Sequence, residues 1–262
     1  MELTTLLGMI FAMIGLLGSM FFKGIPFTAF ANPAALLIIF VGTTGAVMNA
    51  VPMSDIKKVP KLFGKIFTDK KADRGDKFET ITLFVQYAQI VRKDGILALE
   101  KKLDELESPF VKRGMALLVS GVKSGEIETV LMDDIASMEK RHHAGAQIFS
   151  QGGMYAPTLG VLGAALGLTA AMNYLDDQEA LAHAIAAAFM ATIFGIFLGY
   201  VIMHPFANKL KMKSKQEALH REIVIAGILA LANGDPPYLV QDKLLSFLTQ
   251  REKDRFMSDG GI

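Results

Sequence analysis

Four runs of about twenty residues carry no charged side chain, apart from a histidine at one end of the last. Two of them, Leu3–Phe22 and Pro33–Val51, lie near the start of the chain; Met154–Tyr174 and His183–Met203 come much later. A helix needs about 20 apolar residues to cross the hydrocarbon core of a bilayer, so each run predicts one span. Short connections, Lys23–Asn32 and Leu175–Ala182, join them into two hairpins. The first run is longer than the ~7–15 apolar residues of a signal peptide and no small-residue cleavage site follows it, so it reads as a retained anchor.

Elsewhere the pattern is helical and amphipathic. In Asp55–Phe67, Ile56, Val59, Leu62, Phe63 and Ile66 recur at helical spacing, with Lys57, Lys58, Lys61 and Lys65 on other faces. Such a helix beside a span suits the surface of an anionic leaflet, or packing on its own domain. Thr68–Asp76 reads as a polar linker. Helices are expected over Phe78–Arg92, Ile96–Leu106, Pro109 to Ser120, Ile127 to Phe149 and on into the third span, Lys209–Ala232, and Leu239–Leu248. The last residues read as disordered. The fold class is all-α: a four-span membrane protein with a helical domain inserted between spans two and three. Four segments follow: 1–52, first hairpin; 53–151, inserted domain with its membrane-surface helix; 152–204, second hairpin; 205–262, helical tail.

Charge sets the orientation. Of 27 Lys and Arg, one (Lys23) lies in a short hairpin loop; the others lie in the inserted segment and the tail. The second loop carries Asp176, Asp177 and Glu179 and no base. By the positive-inside bias, both termini and the inserted domain are expected in the cytoplasm. A net charge of +1 gives no basic excess that would point to nucleic acid. With no Cys there is no disulfide, thiolate chemistry or Cys-ligated metal. His142 and His143 are adjacent, so on a helix they diverge by ~100° and cannot share a metal. No phosphate loop, dinucleotide fingerprint or nucleophile motif occurs, and no enzymatic activity or cofactor is expected.

Inside the spans the informative feature is the lack of carboxylates. Proton relays in membranes usually rest on Asp, Glu or His, so a titrating group would have to come from a partner. The spans offer small residues instead: Gly8, Gly15 and Gly18, then Gly42 and Gly45, Gly163 and Gly167, and Gly195 and Gly199. Such surfaces let helices approach closely, either partner helices or one another. Pro157 near the start of span three and Pro205 after span four are each a hinge or a helix boundary. Thr192 lies deep in span four, where a threonine most often bonds its own i−4 carbonyl.

The stretch Tyr155-Ala-Pro-Thr-Leu-Gly-Val-Leu-Gly-Ala-Ala-Leu-Gly-Leu168 resembles the third-span motif of MotA-type stator subunits of the bacterial flagellar motor. Ala186-Ala-Ala-Phe-Met-Ala-Thr-Ile-Phe-Gly195 resembles their fourth-span motif, and His204-Pro-Phe-Ala-Asn-Lys-Leu210 the exit from it. Ala31-Asn-Pro-Ala-Ala35, Arg92-Lys-Asp-Gly-Ile-Leu-Ala-Leu-Glu100 and Met138-Glu-Lys-Arg-His142 also match. The resemblance covers almost the whole chain. It implies a homopentamer in the bacterial inner membrane around a dimer of MotB, each copy supplying an intramembrane Asp. Ion flow past that Asp would turn the pentamer, and its cytoplasmic domain would turn the rotor protein FliG. Carried over by position, Pro157 and Pro205 take the two functional prolines, Arg92 and Glu100 the rotor-contacting base and acid, and Thr192 a pore-facing threonine. Ala164 and Ala191 stand where sodium-type relatives have threonines, and a methyl group gives sodium no oxygen, so the resemblance favours protons. Two other readings are a passive membrane scaffold, and an energiser of the ExbB or TolQ kind, which typically has one span before its cytoplasmic part rather than two.

Overall fold

The computed structural model describes residues 3–25, 30, 32–68 and 76–258, and every regular element among them is helical. Residues 26–29 and 31 of the first hairpin loop, 69–75 of the expected linker and 259–262 at the end lie outside the described residues. In chain order the elements are α1 (Leu3–Phe22), α2 (Pro33–Ala50), α3 (Met53–Ile56), α4 (Val59–Phe67) and α5 (Lys77–Asp94). A 3-10 helix (Ile96–Glu105) follows, then α6 (Pro109–Val119), α7 (Ser124–Ala171), α8 (Gln178–Ala232), α9 (Pro237–Leu245) and α10 (Gln250–Ser258). Four of these, α1, α2, α7 and α8, are long and apolar enough to cross a membrane.

Three local departures from the expected pattern have plain causes. The helix expected over Asp55–Phe67 is two helices, because Pro60 has no amide for the Ile56 carbonyl. The α-helix expected over Ile96–Leu106 is a 3-10 helix. Gly95, at φ 82°, ends α5, and the Ala98 amide bonds back only three residues, to the Gly95 carbonyl. Neither proline is a helix boundary. Pro157 lies inside α7. Pro205 lies inside α8, where Phe197–Met203 is wound as a π-helix and the His204 amide donates five residues back, to the Gly199 carbonyl. A proline after a wider turn avoids the i−4 carbonyl that its ring would otherwise strike.

The chain divides into two compact units, Met1–Asp69 with His142–Met212, and Lys70–Arg141 with Lys213–Ile262. These differ from the four segments read along the sequence. Within the first unit, the apolar face of α4 packs on protein: Ile66 is buried with Ala146, Phe149, Phe206 and Leu210. Phe63 meets the rings of Phe149 and Phe206 edge-on. Lys57, Lys58 and Lys61 remain exposed.

The second unit has its own apolar core, aliphatic and aromatic. Ile81, Phe84, Leu99, Met115, Ile127, Leu131, Ile223 and Ile228 are fully buried there, each worth roughly 1.5–3 kcal/mol of transfer free energy. Asp76 caps α5 by accepting from the Phe78 amide at 2.9 Å. The segment read as a tail is part of this core: Val240 and Leu244 of α9 are fully buried in it, and Lys77 pairs with Glu252 of α10 at 2.9 Å.

Candidate functional site in the second hairpin

Spans three and four meet backbone to backbone along a ladder of small residues. A methyl group placed on Gly195 would stand 2.5 Å from the Ala156 carbonyl oxygen, and one on Gly160 would stand 2.9 Å from that of Ala191. One on Gly167 would stand 2.7 Å from the Ala188 methyl, and one on Gly163 would stand 3.0 Å from both the Ala191 methyl and Ile38 of span two. Real Cβ atoms essentially never approach other atoms closer than 3.0 Å, so glycine is required at Gly160, Gly167 and Gly195, while at Gly163 the neighbouring side chains would have to give way. Of the two readings open for these glycines, packing within the chain is the one observed for Gly163, Gly167, Gly195 and Gly199.

Pro157 sits in this ladder. Without an amide hydrogen it leaves the Gly153 carbonyl with no donor four residues on. Gly199 faces both features: a methyl there would stand 2.7 Å from the Gly153 oxygen and 2.7 Å from the proline ring. The proline, the freed carbonyl and the glycine opposite thus form one contact. Beside it a methyl on Gly153 would stand 2.9 Å from the His204 ring, which lies 5.3 Å from the Tyr200 ring centre. Pro205 follows directly, exposed.

Thr192 departs from expectation in its partner. Its hydroxyl is oriented to the Gly160 carbonyl of span three, at 3.4 Å, and not to its own helix. It is half-buried, as are Pro157 and Ala164, while Ala191 is buried against Gly163. Span two closes the third side. Its capping residue Asn32 accepts from the Ala35 amide at 3.2 Å and donates to the Ala187 carbonyl of span four at 3.1 Å. The outer faces stay apolar and open, with Val161 and Tyr200 both 60% exposed.

In the second unit Arg92 lies in the last turn of α5 and Glu100 in the 3-10 helix beyond Gly95. Both are exposed, and neither makes an ion pair among the described residues. Neighbouring charges do pair, Lys102 with Glu105 at 2.9 Å and Lys112 with Asp104 at 3.0 Å.

The π turns of spans two (Leu37–Gly42) and four are features the sequence reading missed. For the second, Pro205 was the available signal, since a proline in a continuing helix demands a change of winding.

The sequence signature of motility protein A N-terminal regions matches residues 6–95, and that of the MotA/TolQ/ExbB proton channel family matches residues 102–223. The chain is 46% identical over 260 residues to motility protein A of Bacillus subtilis, covering 99% of this chain and 96% of that protein. Its structure is similar to a chain of the flagellar MotAB stator complex from Bacillus subtilis, with a TM-score of 0.90 and 46% identity, covering 96% of this chain and 98% of that one. It is also similar to a chain of C. jejuni MotAB, with a TM-score of 0.88 and 29% identity over 95% of this chain and 97% of that one. Four apolar spans, a proline-centred contact between the last two, and likeness over nearly its full length together show that this chain belongs to the MotA/TolQ/ExbB proton channel family.

Proposed function

We propose that the chain is the ion-channel and torque-generating stator subunit of a bacterial flagellar motor, working with MotB. Its likeness to chains of two MotAB complexes supports this reading. One observation carries the mechanism: the spans hold no Asp, Glu, Lys or Arg, yet spans three and four are built around a proline, its freed carbonyl and a glycine contact. The chain supplies a shaped, deformable wall, and the titrating carboxylate comes from MotB. A carboxylate in hydrocarbon is costly while charged, and protonation removes the cost. Each protonation would therefore let the wall at Pro157 and Pro205 relax to a second arrangement, and each release would restore the first.

Five copies would surround two MotB helices in the inner membrane, with the termini and the second unit in the cytoplasm, where 26 of the 27 basic residues would then lie. Arg92 and Glu100, exposed and unpaired, would engage charges on FliG. Ala164 gives sodium no oxygen ligand, which favours protons.

The test is rescue of swimming in a strain lacking its own MotA, using this gene with its cognate MotB. Swimming abolished by a protonophore and indifferent to sodium at fixed pH is the expected result. Speed that tracks sodium would overturn the ion assignment and keep the stator. Failure to rescue despite correct insertion would overturn the stator reading.

A further inference from the structure

The second unit buries most of its apolar side chains, yet among its described residues Leu97 is 70% exposed and Tyr238 73%, more than any other large apolar side chain there. Local winding explains both. The stretch holding Leu97 is a 3-10 helix with three residues per turn, so side chains three apart stand in one row. Ile96 and Leu99 form the row that packs on the core, with Leu99 fully buried. Leu97 and Glu100 form an outer row, which sets the apolar side chain directly beside the acid. Tyr238 opens α9 on the side away from Val240 and Leu244, which are fully buried.

The two exposed side chains share one end of the unit. Thr80 of α5 bonds His220 of α8 at 2.8 Å, and further along both helices a methyl on Gly227 would stand 2.5 Å from the Phe84 ring. The helices therefore run in the same direction. Arg92 stands as far past Thr80 as Ala232 does past His220, so α5 and α8 finish level with each other. Each then turns on a glycine in the left-handed region, Gly95 at φ 82° and Gly234 at φ 70°. Leu97 follows the first turn and Tyr238 the second. The opposite end is marked by α10, where Glu252 pairs with Lys77 and the Phe256 ring meets that of Phe78, both at the start of α5. Met257, 61% exposed, belongs to that opposite end.

We propose that Leu97 and Tyr238 are the apolar anchors of the surface that engages the rotor, set among the charges of Arg92 and Glu100. The inference rests on the stator reading given above and adds the contact that gives the engagement its strength. Exposed charges steer a partner and fix its register but contribute little affinity. Binding energy concentrates in a few apolar and aromatic side chains ringed by polar ones, and tyrosine is favoured among them. The partner surface this end fits is an apolar groove with an acid to meet Arg92 and a base to meet Glu100. Two anchors make a small patch, tight enough to transmit a push and weak enough to let go at each step. Tyrosine suits such a cycle, because its ring can be covered while its hydroxyl stays wet.

The test uses the full-length chain with its cognate MotB in a strain lacking its own MotA. Leu97→Gln and Tyr238→Gln should each slow swimming, and the two together should remove most of it, while Leu97→Met and Tyr238→Phe keep it. Met257→Gln, the same kind of change at the opposite end, should leave speed unaltered. The melting temperature of the purified complex should hold in every variant, because exposed side chains contribute little to stability. A photo-crosslinking amino acid placed at position 97 or 238 should capture FliG in swimming cells. Full speed in the double glutamine variant would overturn the proposal and leave the stator reading intact, as would a Met257→Gln variant slowed as much as Leu97→Gln. Capture of a second copy of this chain in place of FliG would also overturn it, making this end a contact between subunits. Failure of the unaltered gene to restore swimming would remove the stator reading itself, and the anchors with it.

Discussion

The two hairpins use glycine in opposite ways. In the second, Gly160, Gly163, Gly167, Gly195 and Gly199 are each pressed against a neighbouring helix. In the first, Gly8, Gly15, Gly18 and Gly45 have nothing within 4 Å of where a side chain would begin. Both sets look alike in the sequence, small residues recurring at helical spacing in a charge-free run. The lesson is that spacing reports a smooth helix face, while the partner of that face depends on chain connection and register. The second hairpin spends its smooth faces on itself, so that two backbones come close enough to meet at a proline. The first leaves these four glycines open, and only its Gly42 meets another span, where a methyl would stand 3.3 Å from Leu159 of span three.

The contrast can be broken most directly at paired positions. Gly195→Val should abolish swimming and recovery of a detergent-stable complex, because the added methyls meet the backbone of Ala156 and Gly160, which cannot step aside; overpacking of this kind costs about 1–3 kcal/mol or more. Gly15→Val should leave the chain folded, and its yield is the control. If it lost the complex as completely as Gly195→Val, the open face would be a subunit interface, and the two hairpins would differ only in which chain they pack against.

Pro157→Ala probes the ladder more gently. It restores an amide to α7 and removes the ring from Gly199. Complex yield should hold, while torque read from a bead on a flagellar stub falls to a small part of its normal value. Full torque would show that the contact at Pro157 serves packing alone. Outside the membrane, Arg92→Glu and Glu100→Lys should each slow swimming with melting unchanged, since exposed unpaired charges contribute little to stability. Unaltered speed in both would leave these residues as solvated surface.

The smallest effect is one of pH, and it sharpens the contrast between spans without carboxylates and a second unit that titrates. Burial, and next the neighbouring Arg221, hold His220 below its ordinary 6.5 while Thr80 bonds its ring at 2.8 Å. Glu252 is held at about 2, first by the Thr249 amide and then by Lys77. Both groups bind protons more readily in the unfolded chain, so stability that is full at pH 7 should decline as pH falls below 6.5, and again from 4.5 toward 2. His220→Gln should flatten the first decline in a melting series and leave the second.

Much of this was legible beforehand. Charge-free runs marked all four spans, because a charge in hydrocarbon is costly. The insides of helices were harder. Pro157 and Pro205 left hinge and boundary equally open, since sequence does not say whether a neighbour can take up the backbone groups that a proline frees. The 3-10 winding after Gly95 needed the left-handed φ of that residue, which its identity permits without requiring. Motifs named Pro157, Thr192 and the glycines of spans three and four, but which of these touch one another emerged only from the register between helices.

The π turn at Phe197–Met203 sets the phase of everything after it. An α-helix advances about 100° per residue, and a π turn takes up one residue more than an α turn. Phe206, Ala207 and Leu210, which pack with Phe149, stand on their proper side only because that extra residue is present. Losing any one residue of the turn would let the helix relax to ordinary winding and swing all three by about 100°, with no core residue altered. In this stretch the number of residues matters more than their identity, so single-residue deletions should be far less tolerated than apolar exchanges.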